Sequence, residues 1–137
     1  MNETHIKPHW SFWVICVIAL IWNLMGSINF TMQMDPEMLA NYPDEAKSLV
    51  ETRPFWATIA FAIAVFGGLL GDIFLILRKA IAYYLFIASL VGVIVTNIHT
   101  FQVSGAIDIL IGSLMSVIVA AFLIWYAALV KGKEWIK

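Results

Sequence analysis

The stretch Pro54 to Leu77, PFWATIAFAIAVFGGLLGDIFLIL, decides the fold. It runs for 24 residues with one charged side chain, Asp72. At about 1.5 Å per residue, a helix of this length crosses the roughly 30 Å hydrocarbon core of a bilayer. Apolar and polar residues do not alternate with a period of two, so the run does not read as a barrel strand.

Three similar runs surround it. Trp10 to Phe30 has 21 residues and Ala80 to Val103 has 24, both without Asp, Glu, Lys or Arg, and Gly105 to Val130 has 26 with only Asp108. The expectation is an all-α membrane protein, an antiparallel bundle of four transmembrane helices over about 10–30, 54–77, 80–103 and 105–130. It forms a single transmembrane domain over 1–137, with a short, helical, acidic outer loop over 31–53. The first run lacks a small-x-small cleavage site and exceeds a usual signal-peptide core of about 7–15 residues, so it reads as a retained helix.

Composition agrees. Of 137 residues, 62% are hydrophobic and 12% charged, and the mean hydropathy is +0.90. A soluble domain of this size carries about a quarter charged residues. The lipid bilayer is therefore the expected solvent. A net charge of -1 offers no basic face for nucleic acid. The single cysteine, Cys16, rules out an internal disulfide and a Cys-based zinc site.

Lys/Arg bias sets the expected orientation. With the N-terminus inside, Lys7, Arg78, Lys79, Lys131, Lys133 and Lys137 are cytoplasmic, against Lys47 and Arg53 outside. Both termini are thus expected in the cytoplasm. Trp10, Trp13, Tyr83, Tyr84, Trp125 and Tyr126 form the expected inner aromatic belt. Phe30, Phe55 and Trp56 form the outer one. In the loop, Asp35-Pro36-Glu37 reads as a helix start, with a capping carboxylate, a proline and an acid in the first turn. Pro43-Asp44-Glu45 repeats it. These short helices are expected to lie on the membrane surface or to cap the bundle.

Small or weakly polar residues recur on one face of each span. They are Ala19, Asn23 and Ser27 in the first, and Ala60, Ala64, Gly68 and Asp72 in the second, with Gly67 and Gly71 beside them. The third has Ala88, Gly92, Thr96 and His99, and the fourth Asp108, Gly112, Ser116 and Ala120. Small faces let helices approach closely in lipid, where no hydrophobic force drives them together. Gly67, Gly68, Gly71, Gly92 and Gly112 are the expected packing positions, inside the bundle or at a homodimer contact.

Ionisable groups within a membrane are costly, so they are candidates for function. Asp72 lies roughly 7–8 Å below the helix end at Leu77. It is read as an anchor paired with Lys79, Arg78, Tyr83 or Tyr84, or else as a proton or cation site. Asp108 falls in the first turn of the fourth helix, where the helix dipole favours it. His99 is expected at similar depth, as its hydrogen-bond partner. Asn23 is expected to bridge helices. Metal-ligand spacings, phosphate loops and nucleophile motifs are missing, so neither an enzyme nor a cofactor or metal is expected.

Trp22-Asn23-Leu24-Met25-Gly26, Ala60 to Gly68, Leu77-Arg78-Lys79 and the acidic loop ending in Pro54-Phe55-Trp56 carry a resemblance across nearly the whole chain. Together they resemble a family of small bacterial four-helix inner-membrane proteins of uncharacterised function, often labelled sugar transporters by automated naming. The resemblance implies a four-helix, multi-pass protein of the bacterial inner membrane, and it implies no site residues. Two functions stand side by side. The first is an accessory or structural protein that binds a membrane-protein partner or lipid. The alternative is a small-solute or proton-coupled transporter that acts as a homo-oligomer. Polar residues expected at the midplane amount to little beyond Asn23, Ser89 and Ser116, which favours the accessory role.

Overall fold

The computed structural model describes residues 7–103, 105 and 107–137. It contains α1 (Trp10–Met34), α2 (Pro36–Leu39), α3 (Asp44–Glu51), α4 (Phe55–Ile76), α5 (Ile81–Val103) and α6 (Ile107–Gly132). α1, α4, α5 and α6 are each long and apolar enough to span a membrane. The protein is an all-α, four-helix membrane protein. Leu, Ile, Val and Phe side chains that would be a liability in water cover its outside, among them Ile18, Ile63, Ile94 and Ile118.

Local chemistry sets the boundaries. α1 runs past Phe30 to Met34 and stops before Pro36, which pushes Asp35 into extended backbone at φ -95°, ψ 115°. The Asp35 carboxylate then caps α2 by accepting from the Glu37 N–H at 3.0 Å. α4 ends in a Schellman motif, with the Lys79 N–H bonded to the Phe74 carbonyl at 2.8 Å and Arg78 at φ 62°. α6 ends the same way, with Trp135 bonded to Val130 and Glu134 at φ 61°. Both are non-glycine residues in the left-handed region, and each turn braces the other. Arg78 Nε donates to the Trp135 carbonyl at 2.8 Å, and the Lys137 N–H donates to the Arg78 carbonyl at 3.1 Å. Ile136 is buried beneath them. The end that carries both termini is closed in this way.

The closely packed pairs are α1 with α4, α4 with α5, and α5 with α6. α4 and α5 meet most closely because their small residues interlock. A Cβ on Gly92 would lie 2.5 Å from the Ala60 carbonyl and 2.7 Å from the Ala64 nitrogen. One on Gly71 would meet the Phe86 ring, and one on Gly68 would meet Asn23. The glycine face of α4 is thus used within the chain, toward α1 and α5. Gly67 sits in ordinary contact, and a Cβ there would be 3.5 Å from its nearest neighbour.

Several expectations need correction. Ala88 is exposed, and the inner face of α5 runs instead through Phe86, Ser89, Gly92 and Asn97. Gly112 is not a packing position, since a Cβ there would meet nothing within 4 Å. Tyr126 is buried at 5% exposure and does not belong to an aromatic belt.

The burial pattern gives the bundle its shape. α4 and α5 are buried along their whole length, whereas every buried residue of α6 lies between Ala120 and Val130. Near the termini, α1 and α6 come together through Phe12 and Tyr126, with ring centroids 6.3 Å apart. Toward the α2–α3 loop, α6 keeps to α5, where Asn97 Nδ2 donates to the Ser113 carbonyl at 3.0 Å, but it has no buried residue there.

Candidate functional site

A half-open cavity of about 480 Å³ lies inside the bundle, reaching toward the loop end. Ligand pockets commonly measure roughly 300–1,000 Å³. Polar side chains enter from three long helices. α1 contributes Asn23, Asn29 and Gln33, α5 contributes Ser89, Thr96, Asn97 and Thr100, and α6 contributes Ser113 and Ser116. Arg53, just before α4, completes the polar lining, and Trp22, Phe61 and Phe86 supply aromatic surface. The sequence suggested a much thinner set. Helical spacing finds such residues one helix at a time, but only the packing of α1, α5 and α6 turns them toward a shared space.

At the closed end, Phe12, Cys16, Leu75, Phe86, Leu123 and Tyr126 pack as one buried layer. Phe86 and Leu123 also line the cavity, so this layer is its floor. Beside it stands Asp72, fully buried on the inner face of α4. The partner of Asp72 is not Lys79, Arg78, Tyr83 or Tyr84 as expected. Asn23 Nδ2 donates to Asp72 Oδ2 at 2.5 Å, joining α1 to α4. Asn23 therefore does bridge helices, and it also lines the cavity, so Asp72 lies one hydrogen bond behind the cavity wall. Among the described residues, the buried Asp72 Oδ1 and Tyr126 hydroxyl meet no partner. In either protonation state one atom of the Asp72 carboxyl group lacks a mate, which is costly in a dry interior.

His99 and Asp108 do not come together. His99 is buried, and its Nε2, protonated in the tautomer this contact requires, donates to the Leu49 carbonyl at 3.3 Å. That contact fastens α3 to α5. Asp108 is exposed in the first turn of α6. The loop is also tied to α1, where the Tyr42 hydroxyl donates to Asn29 Oδ1 at 2.7 Å. The α2–α3 segment is thus pinned at two points to helices that border the cavity.

Arg53 was not singled out in the sequence except as a topological charge. Its guanidinium stands over the Phe61 ring at 4.9 Å, and Phe30 braces that ring edge-on at 5.3 Å. Burial pushes the Arg53 guanidinium down from its ordinary value, yet an arginine remains cationic. Among the described residues its buried Nε and Nη1 meet no acceptor, and the buried amide oxygen of Gln33 meets no donor. Among the described residues, no group of three or more His, Cys, Asp or Glu side chains gathers into a metal-holding cluster. No family model matches the chain, and no curated protein or solved structure matches it.

Proposed function

We propose that this chain is a small-solute carrier of the bacterial inner membrane, with both termini in the cytoplasm. The solute enters the cavity from the loop side, and the layer of Phe12, Phe86, Leu123 and Tyr126 is the closed gate on the terminal side. One observation carries this reading. A cavity of about 480 Å³ with polar groups on three helices extends to Gln33 and Arg53 at the loop end and is floored by a packed layer on the terminal side. That is the form expected of one state of an alternating-access cycle. The accessory role rested on a thin polar interior, and the cavity replaces that inventory. A second copy is not required for the path, because the cavity lies within one chain.

In this reading Asp72 and Asn23 form the latch between α1 and α4 beside the gate. Transport requires the latch to open, and a carboxyl group with an unpartnered oxygen is suited to gain a proton or cation when it does. The test is binding and uptake with purified protein. A panel of neutral and acidic polyols and amino acids is screened for thermal stabilisation in detergent, and the hits are followed into proteoliposomes. Gly112→Phe fills the cavity from a position where an added side chain meets open space. It should abolish binding while the melting temperature without ligand stays at the wild-type value. The reading fails if no compound stabilises the wild type, or if Gly112→Phe binds as the wild type does. Asp72→Asn should bind solute but lose uptake. Orientation has its own check. A reporter active only in the cytoplasm should work after Lys137 and stay silent after Asn41, and the reverse pattern overturns the assignment of the sides.

A further inference from the structure

We infer that Arg53 is the recognition cation of the cavity and seats an anionic group, a carboxylate or a phosphate, of the molecule held there. The inference rests on the reading of the cavity as a binding site and gives the chemical class of its ligand.

Arginines at the end of a membrane helix commonly extend so that their nitrogens reach water. Arg53 does not. Two of its nitrogens, Nε and Nη1, are shut off from solvent, and among the described residues neither meets an acceptor. A guanidinium receives an anion side-on through Nε and Nη2 or end-on through Nη1 and Nη2, so each of these two edges of Arg53 holds one donor without an acceptor. The fork is also held in place. Phe61 lies under it, Phe30 holds Phe61, and the corner between α3 and α4 fixes its backbone through the Arg53 N–H bond to the Val50 carbonyl at 3.2 Å. A fixed cation that lines a cavity and lacks an acceptor is a binding group awaiting its partner.

The loop carboxylates do not supply that partner. Glu37, Asp44, Glu45 and Glu51 are exposed, where water and salt screen them from a group inside the cavity. Hydroxyl and amide groups farther along the cavity, from Asn97, Ser113 and Ser116, suit the hydrogen-bonding body of such a molecule. The anionic group itself can belong to a soluble acid or to a lipid head group entering from the bilayer.

The experiment uses the full chain in a neutral maltoside detergent. Affinities are measured for glycerate against glycerol, gluconate against sorbitol, and inorganic phosphate. Native mass spectrometry of the same protein measures retention of phosphatidylglycerol against phosphatidylcholine. The expected result is that at least one acid binds about tenfold or more tightly than its matched neutral polyol, the gain of one charge-assisted contact. R53Q should bring that acid down to the level of the polyol. R53K should retain part of the preference, because it keeps the charge and loses the fork. The ratio in the wild type is informative even if R53Q folds poorly. Arg53-dependent retention of phosphatidylglycerol, with no soluble acid bound, supports the anion site, assigns it to a lipid head group, and overturns the solute reading. Equal binding of acids and polyols overturns the anion site and leaves the solute reading standing. Absence of binding by any probe overturns both.

Discussion

Asp72 shows what a single buried carboxyl group does to a membrane helix. Among the described residues its one hydrogen-bond partner is Asn23, and its other oxygen has none. Asn23→Ala should cost about 1–3 kcal/mol, because it leaves the acid with no donor at all. A double-mutant cycle of Asn23→Ala with Asp72→Ala, read by unfolding in detergent, should show coupling of about 1 kcal/mol, the scale of hydrogen bonds between membrane helices. Strictly additive losses would mean that the contact carries no energy. The glycines make a second comparison at this scale. Gly92→Ala drives a methyl group into the backbone of α4 and should cost about 1–3 kcal/mol. Gly112→Ala places the same methyl group in open space and should cost nothing, or gain slightly from helix propensity. Equal melting temperatures for the two variants would contradict the interlocking of α4 and α5.

At the scale of elements, α3 depends on its attachments. It has eight residues, too few for a helix to persist alone in water. Leu49 is its one buried residue, and the Leu49 carbonyl is where His99 of α5 reaches it. His99→Ala should therefore loosen α3 by about 1 kcal/mol, the usual net value of one hydrogen bond. Hydrogen exchange should report it as faster exchange over 44–53, with α4 and the inner half of α6 unchanged. Uniform acceleration along the chain would instead make His99 a general stability residue. The same attachment explains how a loop helix can position Arg53, which follows α3 by two residues.

For the whole molecule, the loop-end half of α6, which has no buried residue and borders the cavity, is the decisive feature. If the cavity is wet and open toward the loop, cysteines introduced at Ser113 or Ser116 should react with a charged, membrane-impermeant thiol reagent added on the loop side. Ile118→Cys, at a position 59% exposed on the outer face of α6, should stay unmodified, because lipid there suppresses formation of the thiolate. Native Cys16, 1% exposed in the sealed layer, should also stay silent. Modification of the three introduced sites to the same degree would mean that α6 has no wet face.

Hydropathy by itself determined the number of spans, their approximate ends and the all-α class, because length and apolarity alone decide whether a helix crosses a bilayer. Spacing by four determined most of the inner faces, and Asp72, Gly68 and Ala64 lie where their register put them. Tertiary structure alone decided the rest. The match of Asp72 with Asn23 depends on which helix lies beside α4, and the turn of His99 toward α3 rather than Asp108 depends on how the loop folds back. The cavity forms where α6 buries nothing before Ala120 and is held to α5 by the Asn97–Ser113 hydrogen bond. Within the chain, the polar residues of α5 and α6 look like scattered exceptions in apolar runs. They become one lining only when the two helices pack side by side in this register, a property of helix packing that no single run of residues encodes.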